Sequence, residues 1–165
     1  MKVLAVAAIS LDGMIGFDHV RQIETSPTDK AHFEKTTRAA GTIITGRNTL
    51  EAMKEPLADR RNIVLTRKPE LLKIEAVPEL EYTDEDPEAI LKRLEQQHVD
   101  TVAVVGGAQI FTLFAPYTDE WHLTVCPQFV GEGIPLLDPF PTDKLKLLRR
   151  EDWDTGETLL VLQST

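Results

Sequence analysis

The chain has 165 residues, of which 42% are hydrophobic and 27% are charged, and its formal net charge at pH 7 is −9. This composition and length are typical of a soluble globular protein with one domain spanning residues 1–165, and the acidic balance argues against nucleic acid as a partner. No apolar run approaches the roughly 18 residues of a membrane span, and the first residues lack signal-peptide features. We therefore expect a cytoplasmic protein that does not associate with membranes.

Apolar runs and helical periodicity alternate along most of the chain. The predicted strands cover residues 3–9, 42–45, 62–66, a short edge strand near Ala76, and then 101–105, 120–129, 144–150 and 158–163. The predicted helices cover residues 27–40, a short segment ending near Met53, and then 87–97 and 109–114. This order predicts an α/β fold. A mostly parallel central sheet would carry helices on both faces and an antiparallel C-terminal edge.

The dipeptide Gly106-Gly107 joins the apolar run at residues 101–105 to the helical segment that begins at Ala108. Two residues without Cβ atoms let the backbone turn sharply and let a ligand approach it closely. Free N–H groups and the positive dipole end at the start of the helix suit a phosphate. The alternative is a tight turn that binds nothing.

A second strand-to-helix junction contains Gly46, Arg47, Asn48 and Thr49. Arg47 offers a planar fork of donors that suits a phosphate, and Thr49 can cap the following helix. Alone, this is an ordinary helix start, but two such junctions fit a dinucleotide whose pyrophosphate lies between them. Neither has the glycine spacing of a Rossmann fingerprint or a P-loop, which indicates a different scaffold.

These junctions, in their order along the chain, resemble the dihydrofolate reductase superfamily, as do the segments 8–16, 119–124 and 131–136. The Ser-Leu-Asp-Gly block at residues 10–13 and the segment 131–136 are most similar to the riboflavin-pathway pyrimidine reductases. Those reductases form the C-terminal domain of bifunctional deaminase–reductases. The resemblance implies a three-layer α/β/α fold, NADPH as the cofactor and a small pyrimidine or pterin substrate. No metal is expected, because no residues have metal-ligand spacing.

The resemblance also implies the cofactor contacts. The matching residues are Ala8, Ile15 and Gly16 for the nicotinamide, and Gly46, Arg47, Asn48, Thr49, Gly106, Gly107, Ala108, Gln109 and Ile110 for the phosphates. Leu65, Thr66 and Arg67 match the stretch that receives the adenosine 2′-phosphate. A hydroxyl followed by a guanidinium suits that dianion, although Arg67 can equally be a solvated cation at the end of a strand.

Asp29 allows two interpretations. It matches the buried acid of dihydrofolate reductases that binds the amino edge of the pterin, with Phe33 beside it and Thr124 as its supporting hydroxyl. A carboxylate in an apolar cleft can hold the N–H donors of such a ring and raise the ring's basicity. The alternative is that Asp29 only complements the dipole of the helix that it begins, which is worth about 0.3–1 kcal/mol.

Arg60 and Arg61 match the region where the folate enzymes bind the glutamate tail of the substrate. In a pyrimidine reductase the same pair would meet a ribose phosphate. The loop at residues 17–24 lacks the Pro-Trp segment of true dihydrofolate reductases, and residues 55–59 lack the Asp-Pro-x-Leu-Thr segment of the pyrimidine reductases. Both departures bear on the identity of the substrate.

The predicted function is therefore that of an NADPH-dependent reductase acting on 5-amino-6-(5-phosphoribosylamino)uracil or a related pyrimidine by hydride transfer. One alternative is a true dihydrofolate reductase, which converts 7,8-dihydrofolate to tetrahydrofolate. The other is an NADPH-binding protein without turnover. The resemblance also implies a homodimer that pairs through late strands, where Trp121, Leu123, Val125 and Phe129 are apolar. Cys126 has no second cysteine to pair with and is predicted to be a buried core thiol in a reducing compartment.

Overall fold

The computed structural model describes residues 1–71, 74 and 77–165. Its strands are β1 (Lys2–Ile9), β2 (Met14–Gly16), β3 (Thr42–Gly46), β4 (Arg61–Leu65), β5 (Leu80–Thr83), β6 (Thr101–Val104), β7 (Glu120–Val125), β8 (Ile134–Pro135), β9 (Leu145–Asp152) and β10 (Thr158–Ser164). Its helices are α1 (Pro27–Ala40), α2 (Arg47–Met53), α3 (Pro87–Gln96) and α4 (Ala108–Phe114), with 3₁₀ turns at Pro69–Leu71 and Ala115–Tyr117. None of the helices in the described ranges has the length and apolar character needed to span a membrane.

Eight strands form one sheet in the order β5-β4-β3-β6-β1-β7-β10-β9. The strands from β5 to β7 run parallel to their neighbours, whereas β10 is antiparallel to both β7 and β9. The predicted sheet, mostly parallel with an antiparallel C-terminal edge, is confirmed. The edge strand predicted near Ala76 lies outside the described residues, and β5 lies at Leu80–Thr83.

Two further strands, β2 and β8, form a separate antiparallel pair. They have three and two residues, too few for a period-2 pattern to predict them from sequence.

Successive residues of the central strands face opposite helical layers, as the two-residue strand period requires. Ala5 of β1 belongs to the large core cluster that contains Ile90 and Leu94 of α3. The next residue, Val6, belongs to a smaller cluster against which Phe33 of α1 packs. The sheet is therefore covered on both faces, which confirms the three-layer α/β/α arrangement.

Helix α1 begins and ends where its sequence predicts. The Ser26 side chain accepts a hydrogen bond from the Asp29 N–H at 3.1 Å, and Pro27 occupies the first turn, where its missing N–H costs nothing. Gly41 ends the helix with a φ of 72°, a conformation that glycine adopts without strain. Asp29 is thereby placed on the first turn of α1.

The apolar residues of β7 are part of the monomer's own core. Trp121 and Leu123 are buried and belong to the large core cluster with α3 and α4. The expectation that these two side chains form a dimer surface is therefore wrong. Their alternation with polar neighbours reflects the two faces of an internal sheet. Phe129, beyond the end of β7, is exposed.

Candidate functional site

A cleft of about 1030 Å³ opens at the carboxyl ends of β3, β4, β5 and β6. Open α/β sheets bind their ligands beyond the carboxyl ends of their strands. The volume is at the upper end of the range of about 300–1,000 Å³ that is usual for small-molecule and cofactor sites. This cleft is the candidate ligand site of the protein.

The two glycine junctions predicted from sequence meet in this cleft, because β3 and β6 are neighbours in the sheet. The Gly46 N–H and the Thr45 hydroxyl both donate to the Gly106 carbonyl oxygen, at 2.9 and 2.8 Å. Gly106 has a φ of 104°, and a Cβ atom there would lie 2.8 Å from the Phe111 ring. Any other residue at Gly106 would be strained and would clash with that ring.

Most of the predicted cofactor residues line the cleft. They are Ile15, Gly16, Gly46, Arg47, Asn48, Thr49, Leu65, Thr66, Arg67, Gly107, Ala108, Gln109 and Ile110. Ala8 and Gly106 do not line it. The first turns of α2 and α4 follow Gly46 and Gly107, and neither has a side-chain cap. The middle of the cleft is therefore lined by backbone N–H groups, a guanidinium, amides and hydroxyls.

At one end of the cleft, Thr66, Arg67 and Lys68 follow β4. The Thr66 hydroxyl accepts a hydrogen bond from the Lys68 N–H at 3.1 Å, which shapes the turn. Within the described ranges, neither Arg67 nor Lys68 forms an ion pair with a carboxylate. The turn therefore brings two side-chain cations, Arg67 and Lys68, to this end of the cleft. Lys68 was not predicted as a site residue, although it is adjacent to Arg67 in the same turn.

Three acidic residues that sequence reasoning missed, Asp84, Glu85 and Asp86, also line this end; they follow β5, the strand paired with β4. Two of these carboxylates have internal partners: Glu85 pairs with Arg93 at 2.7 Å, and Asp86 accepts the Ala89 N–H at the start of α3. The Arg93 hydrogen bond lowers the pKa of Glu85. Glu85 and Asp86 therefore stabilise α3, and the ion pair of Glu85 with Arg93 reduces the repulsion between Glu85 and an anion beside Arg67.

At the other end, the β2–β8 pair forms part of the wall through Ile15, Gly16, Ile134 and Pro135. A Cβ atom at Gly133 would lie 2.5 Å from the Gly16 carbonyl oxygen, so the two short strands approach closely. Asp18, His19 and Gln22 complete this end from the following loop. The contacts of Asp18 and Gln22 were not predicted, because the loop is short and has no periodic pattern.

Asp12 joins the loop before β2 to the loop before β8. Its carboxylate accepts hydrogen bonds from the Ser10 hydroxyl at 2.5 Å and from the backbone N–H groups of Val130 and Gly131. The Ser10 hydrogen bond, followed by the two backbone hydrogen bonds, lowers the pKa of Asp12 to about 2. A carboxyl with a depressed pKa stabilises the fold above its unfolded pKa of about 3.8, and this contribution is lost as the pH falls through about 2. Asp12 thus has a structural role at the cleft edge.

The predicted substrate residues lie on the α1 face of the sheet and do not line the cleft. His122 of β7 contacts His32 of α1, so Thr124, two residues later on β7, faces the same helix. Thr124 is 1% exposed and is paired in register with Ala8 of β1. Asp29 is half-buried on this same side. Among the hydrogen bonds of the described residues, none joins Asp29 to Thr124.

A buried carboxylate that sequence reasoning missed, Glu157, positions the first turn of α1. It is 5% exposed and accepts hydrogen bonds from the Ser26 N–H at 2.9 Å and from the Ser26 hydroxyl. Burial alone would raise the pKa of Glu157, but the Ser26 hydrogen bonds, with those of Thr155 and Cys126, outweigh it and lower the pKa. Glu157 lies in a polar hairpin, where sequence gives no sign of burial.

Cys126 is 2% exposed, and burial, together with the charges of Glu157 and Asp29, raises the pKa of its thiol to about 12. The thiol therefore stays protonated at neutral pH. Its packing and pKa are those of an inert core thiol.

Replacing Glu157 by glutamine is expected to lower the free energy of unfolding by about 1–3 kcal/mol, the usual cost of breaking a buried hydrogen-bonded group. An amide NH₂ would face the Ser26 N–H or hydroxyl where a carboxylate oxygen now accepts. Chemical denaturation of wild type and variant measures the difference. Glu132→Gln, which changes an exposed loop acid, is the matched control and should leave stability unchanged. An unchanged free energy of unfolding in Glu157→Gln would contradict this role.

Arg60 is buried and bonded within the protein. Its guanidinium donates to the Glu34 carboxylate at 2.9 and 3.3 Å, to the Thr37 hydroxyl at 2.7 Å and to the Ala58 carbonyl oxygen at 2.8 Å. Arg60 does not line the cleft. Its predicted contact with substrate would require the chain's own carboxylate to be displaced. No group of three or more metal-ligating side chains occurs within the described ranges.

Comparisons with known proteins agree with this architecture. A family model of dihydrofolate reductase matches residues 2–152. The protein YwjB of Bacillus subtilis (strain 168) is 30% identical over 160 residues, which cover 88% of this chain and 88% of that protein. A dihydrofolate reductase of Mycobacterium tuberculosis (strain ATCC 25618 / H37Rv) is 33% identical over 122 residues, 68% of this chain and 67% of that enzyme.

A solved structure, the diaminohydroxyphosphoribosylaminopyrimidine deaminase/5-amino-6-(5-phosphoribosylamino)uracil reductase of Thermotoga maritima, shares the fold with a TM-score of 0.81 and 20% identity. The match covers 99% of this chain and 56% of that chain. The chain therefore belongs to the dihydrofolate reductase family and is a reductase of that superfamily. The resemblance noted from the sequence motifs is confirmed.

Proposed function

We propose that this protein is a cytoplasmic NADPH-dependent reductase that acts on 5-amino-6-(5-phosphoribosylamino)uracil or a related pyrimidine. The observation that carries the proposal is the cleft at the carboxyl ends of the parallel strands, where the two glycine junctions meet. The Thermotoga maritima protein is by its name a reductase of this pyrimidine, and the two chains share one fold.

The residues of the cleft fit NADPH from end to end. Arg47, Asn48 and Thr49 would hold the pyrophosphate together with the backbone of residues 107–110, and Thr66 with Arg67 would hold the 2′-phosphate. Ile15 and Gly16 would lie at the nicotinamide end. When bound, NADPH supplies a hydride, and the protein's part is to align the substrate and exclude water.

The interior contacts of Arg60 favour a pyrimidine over dihydrofolate. An arginine that receives a glutamate tail needs a free fork of donors. In this chain Glu34 and Thr37 already occupy that fork. Removing Glu34 from a buried guanidinium to admit a substrate carboxylate would exchange one ion pair for another with little gain. A substrate without a glutamate tail requires no such exchange.

Asp29 is the acid that we assign to the substrate. It shares the α1 face of the sheet with Phe33, one helical turn away, and with Thr124. Its carboxylate would accept hydrogen bonds from ring N–H groups and polarise the ring. Glu157 and Ser26 hold the turn that carries it.

The experiment is an NADPH-consumption assay run side by side with the pyrimidine substrate and with 7,8-dihydrofolate. We expect oxidation of NADPH with the pyrimidine and at least tenfold less with dihydrofolate. Preference for dihydrofolate would replace the proposal by a dihydrofolate reductase, for which the placement of Asp29 and Phe33 is the supporting observation. Tight NADPH binding with no turnover of either substrate would indicate a binding protein.

We also propose a homodimer, now through β9 instead of β7. β9 is an edge strand, and its residues Leu145, Leu147 and Leu148 are exposed. Pairing such an edge with a second copy would cover both the unpaired backbone groups and the leucines. The mass in solution at micromolar concentration should be that of two chains, and Leu147→Lys should reduce it to one. A monomeric wild type would contradict the proposal.

A further inference from the structure

A second cavity, of about 420 Å³, lies on the α1 face at the amino-terminal edge of the sheet, opposite the carboxyl-end cleft. It is lined by Lys2 and Leu4 of β1, five residues of α1 that include His32 and Lys35, Thr101 of β6, His122 of β7, and Arg149 and Glu151 of β9. We call it the basic cavity, after Lys2, Lys35, Arg149, His32 and His122. None of its residues lines the cleft assigned to NADPH.

Among the described residues, the basic cavity is lined by three cations, Lys2, Lys35 and Arg149, and one carboxylate, Glu151, with Glu120 beside Lys2. Lys2 pairs with Glu120 at 2.6 Å, and Arg149 pairs with Glu151 at 3.0 Å. No carboxylate in the described ranges pairs with Lys35. Unlike the buried guanidinium of Arg60, the cations of these two pairs are partly exposed to solvent. Exposed ion pairs are weak, so a dianion can compete for Lys2 and Arg149 and can also attract Lys35.

Two imidazoles form the floor between these cations. His122 Nε2 lies 2.7 Å from Glu120 Oε1, and His122 Nδ1 lies 3.3 Å from His32 Nε2, with the rings stacked at a centroid distance of 5.4 Å. Because Glu120 accepts the Nε2 proton, the Nδ1 atom of His122 is left to accept from His32. If a second proton were added to this histidine pair, two N–H groups would face each other. A nearby anion would be needed to offset their repulsion.

We propose that the basic cavity is a binding site for a phosphate dianion, free or as a small monoester, separate from the NADPH cleft. The Arg149 guanidinium supplies a fork of donors suited to phosphate oxygens, and Lys2 and Lys35 supply point charges. The volume admits a phosphate with a small organic group. The imidazole pair adds a third type of donor when it is protonated.

A dianion bound in the basic cavity is expected to favour the protonated form of His32, because opposite charges at short range stabilise each other. Burial, and then the neighbouring His122, lowers the pKa of His32, and a bound dianion would raise it again. The charged groups that face the pair are Asp29 and Lys35 of α1, Lys2 of β1, Glu120 of β7, and Arg149 and Glu151 of β9.

The experiment is an NMR titration of the histidine ring C–H resonances with inorganic phosphate at pH 6 and pH 8, in the absence of NADPH. We expect saturable shifts of His32 and His122. His98, exposed after α3, reports non-specific effects, and His19 reports phosphate that enters the NADPH cleft. A second arm with glycerol 3-phosphate distinguishes the free ion from a monoester by relative affinity.

Arg149→Ala should weaken phosphate binding at His32 and His122 by about tenfold or more, the loss expected for a charge-assisted contact. Arg150→Ala is the matched control, because Arg150 is the adjacent residue of β9 and pairs with Asp152. Absence of shifts at His32 and His122, or equal weakening by both variants, would overturn the proposal. Phosphate binding that Arg47→Ala abolishes and Arg149→Ala does not would also overturn the proposal, because Arg47 lies in the NADPH cleft. The readout does not involve turnover, so it can fail or succeed independently of the reductase assignment.

Discussion

Replacing Asp29 by asparagine is expected to lower turnover by about two to four orders of magnitude, the usual contribution of a positioned proton-transfer group. Affinity for NADPH should be unchanged, because Asp29 lies on the α1 face and does not line the cleft. Steady-state kinetics and NADPH titration of the same preparation measure both quantities. For a substrate that can be protonated in solution, the loss of turnover in Asp29→Asn should become smaller as the pH falls, since the medium then supplies the proton.

The matched control for this variant is Glu88→Gln. Glu88 is likewise an acid in the first turn of a helix, α3, and it is exposed. If Asp29 served only the helix dipole, both changes would cost about 0.3–1 kcal/mol of stability and leave turnover almost intact. A near-normal rate for Asp29→Asn would remove the acid from the chemistry. Asp12 would not be the replacement, because it is occupied in joining two loops.

Replacing Arg67 by alanine is expected to weaken NADPH binding by about 10- to 150-fold, which corresponds to about 1.5–3 kcal/mol for a charge-assisted contact. NADH, which lacks the 2′-phosphate, should bind wild type and variant alike. The reason is the position of Arg67 in the turn after β4, beside Thr66 and Lys68, at the far end of the cleft from Ile15. Titrations of both cofactors against both proteins measure the discrimination.

Arg47→Ala provides the contrast, because Arg47 lies at the middle of the cleft, where the pyrophosphate common to both cofactors would bind. That variant should weaken NADPH and NADH by similar factors. Equal losses for both cofactors in Arg67→Ala would instead place Arg67 outside the 2′-phosphate site. The acidic residues after β5, with Asp84, would then be the more important neighbours of the ribose.

The sheet and the middle of the cleft could be predicted because their signals are local. A β-branched run such as residues 101–105 specifies a buried strand, and Gly106-Gly107 specifies a sharp turn after it. Since parallel strands end at one edge of a sheet, the junctions at Gly46 and Gly106 were expected at the same edge, and the pairing of β3 with β6 brings them together. The structure joins them through the Gly106 carbonyl oxygen.

The remaining features depend on contacts between residues that are distant in sequence. Arg60 bonds to Glu34 across 26 positions, and His122 contacts His32 across 90. No periodic pattern encodes either pair, so the family resemblance placed Arg60 with the substrate, and the contact between the two histidines was not predicted. The alternation of Trp121 and Leu123 in β7 was ambiguous for a different reason: a core face and an interface have the same period.

The central claim is that the carboxyl-end cleft holds NADPH, and amide hydrogen exchange with and without NADPH tests it most directly. We expect slower exchange on binding in three segments, residues 46–50, 65–68 and 106–110. We expect no change in β9, which lies at the opposite edge of the sheet from β5. Protection confined to other segments, or no protection at a saturating concentration of NADPH, would contradict the claim.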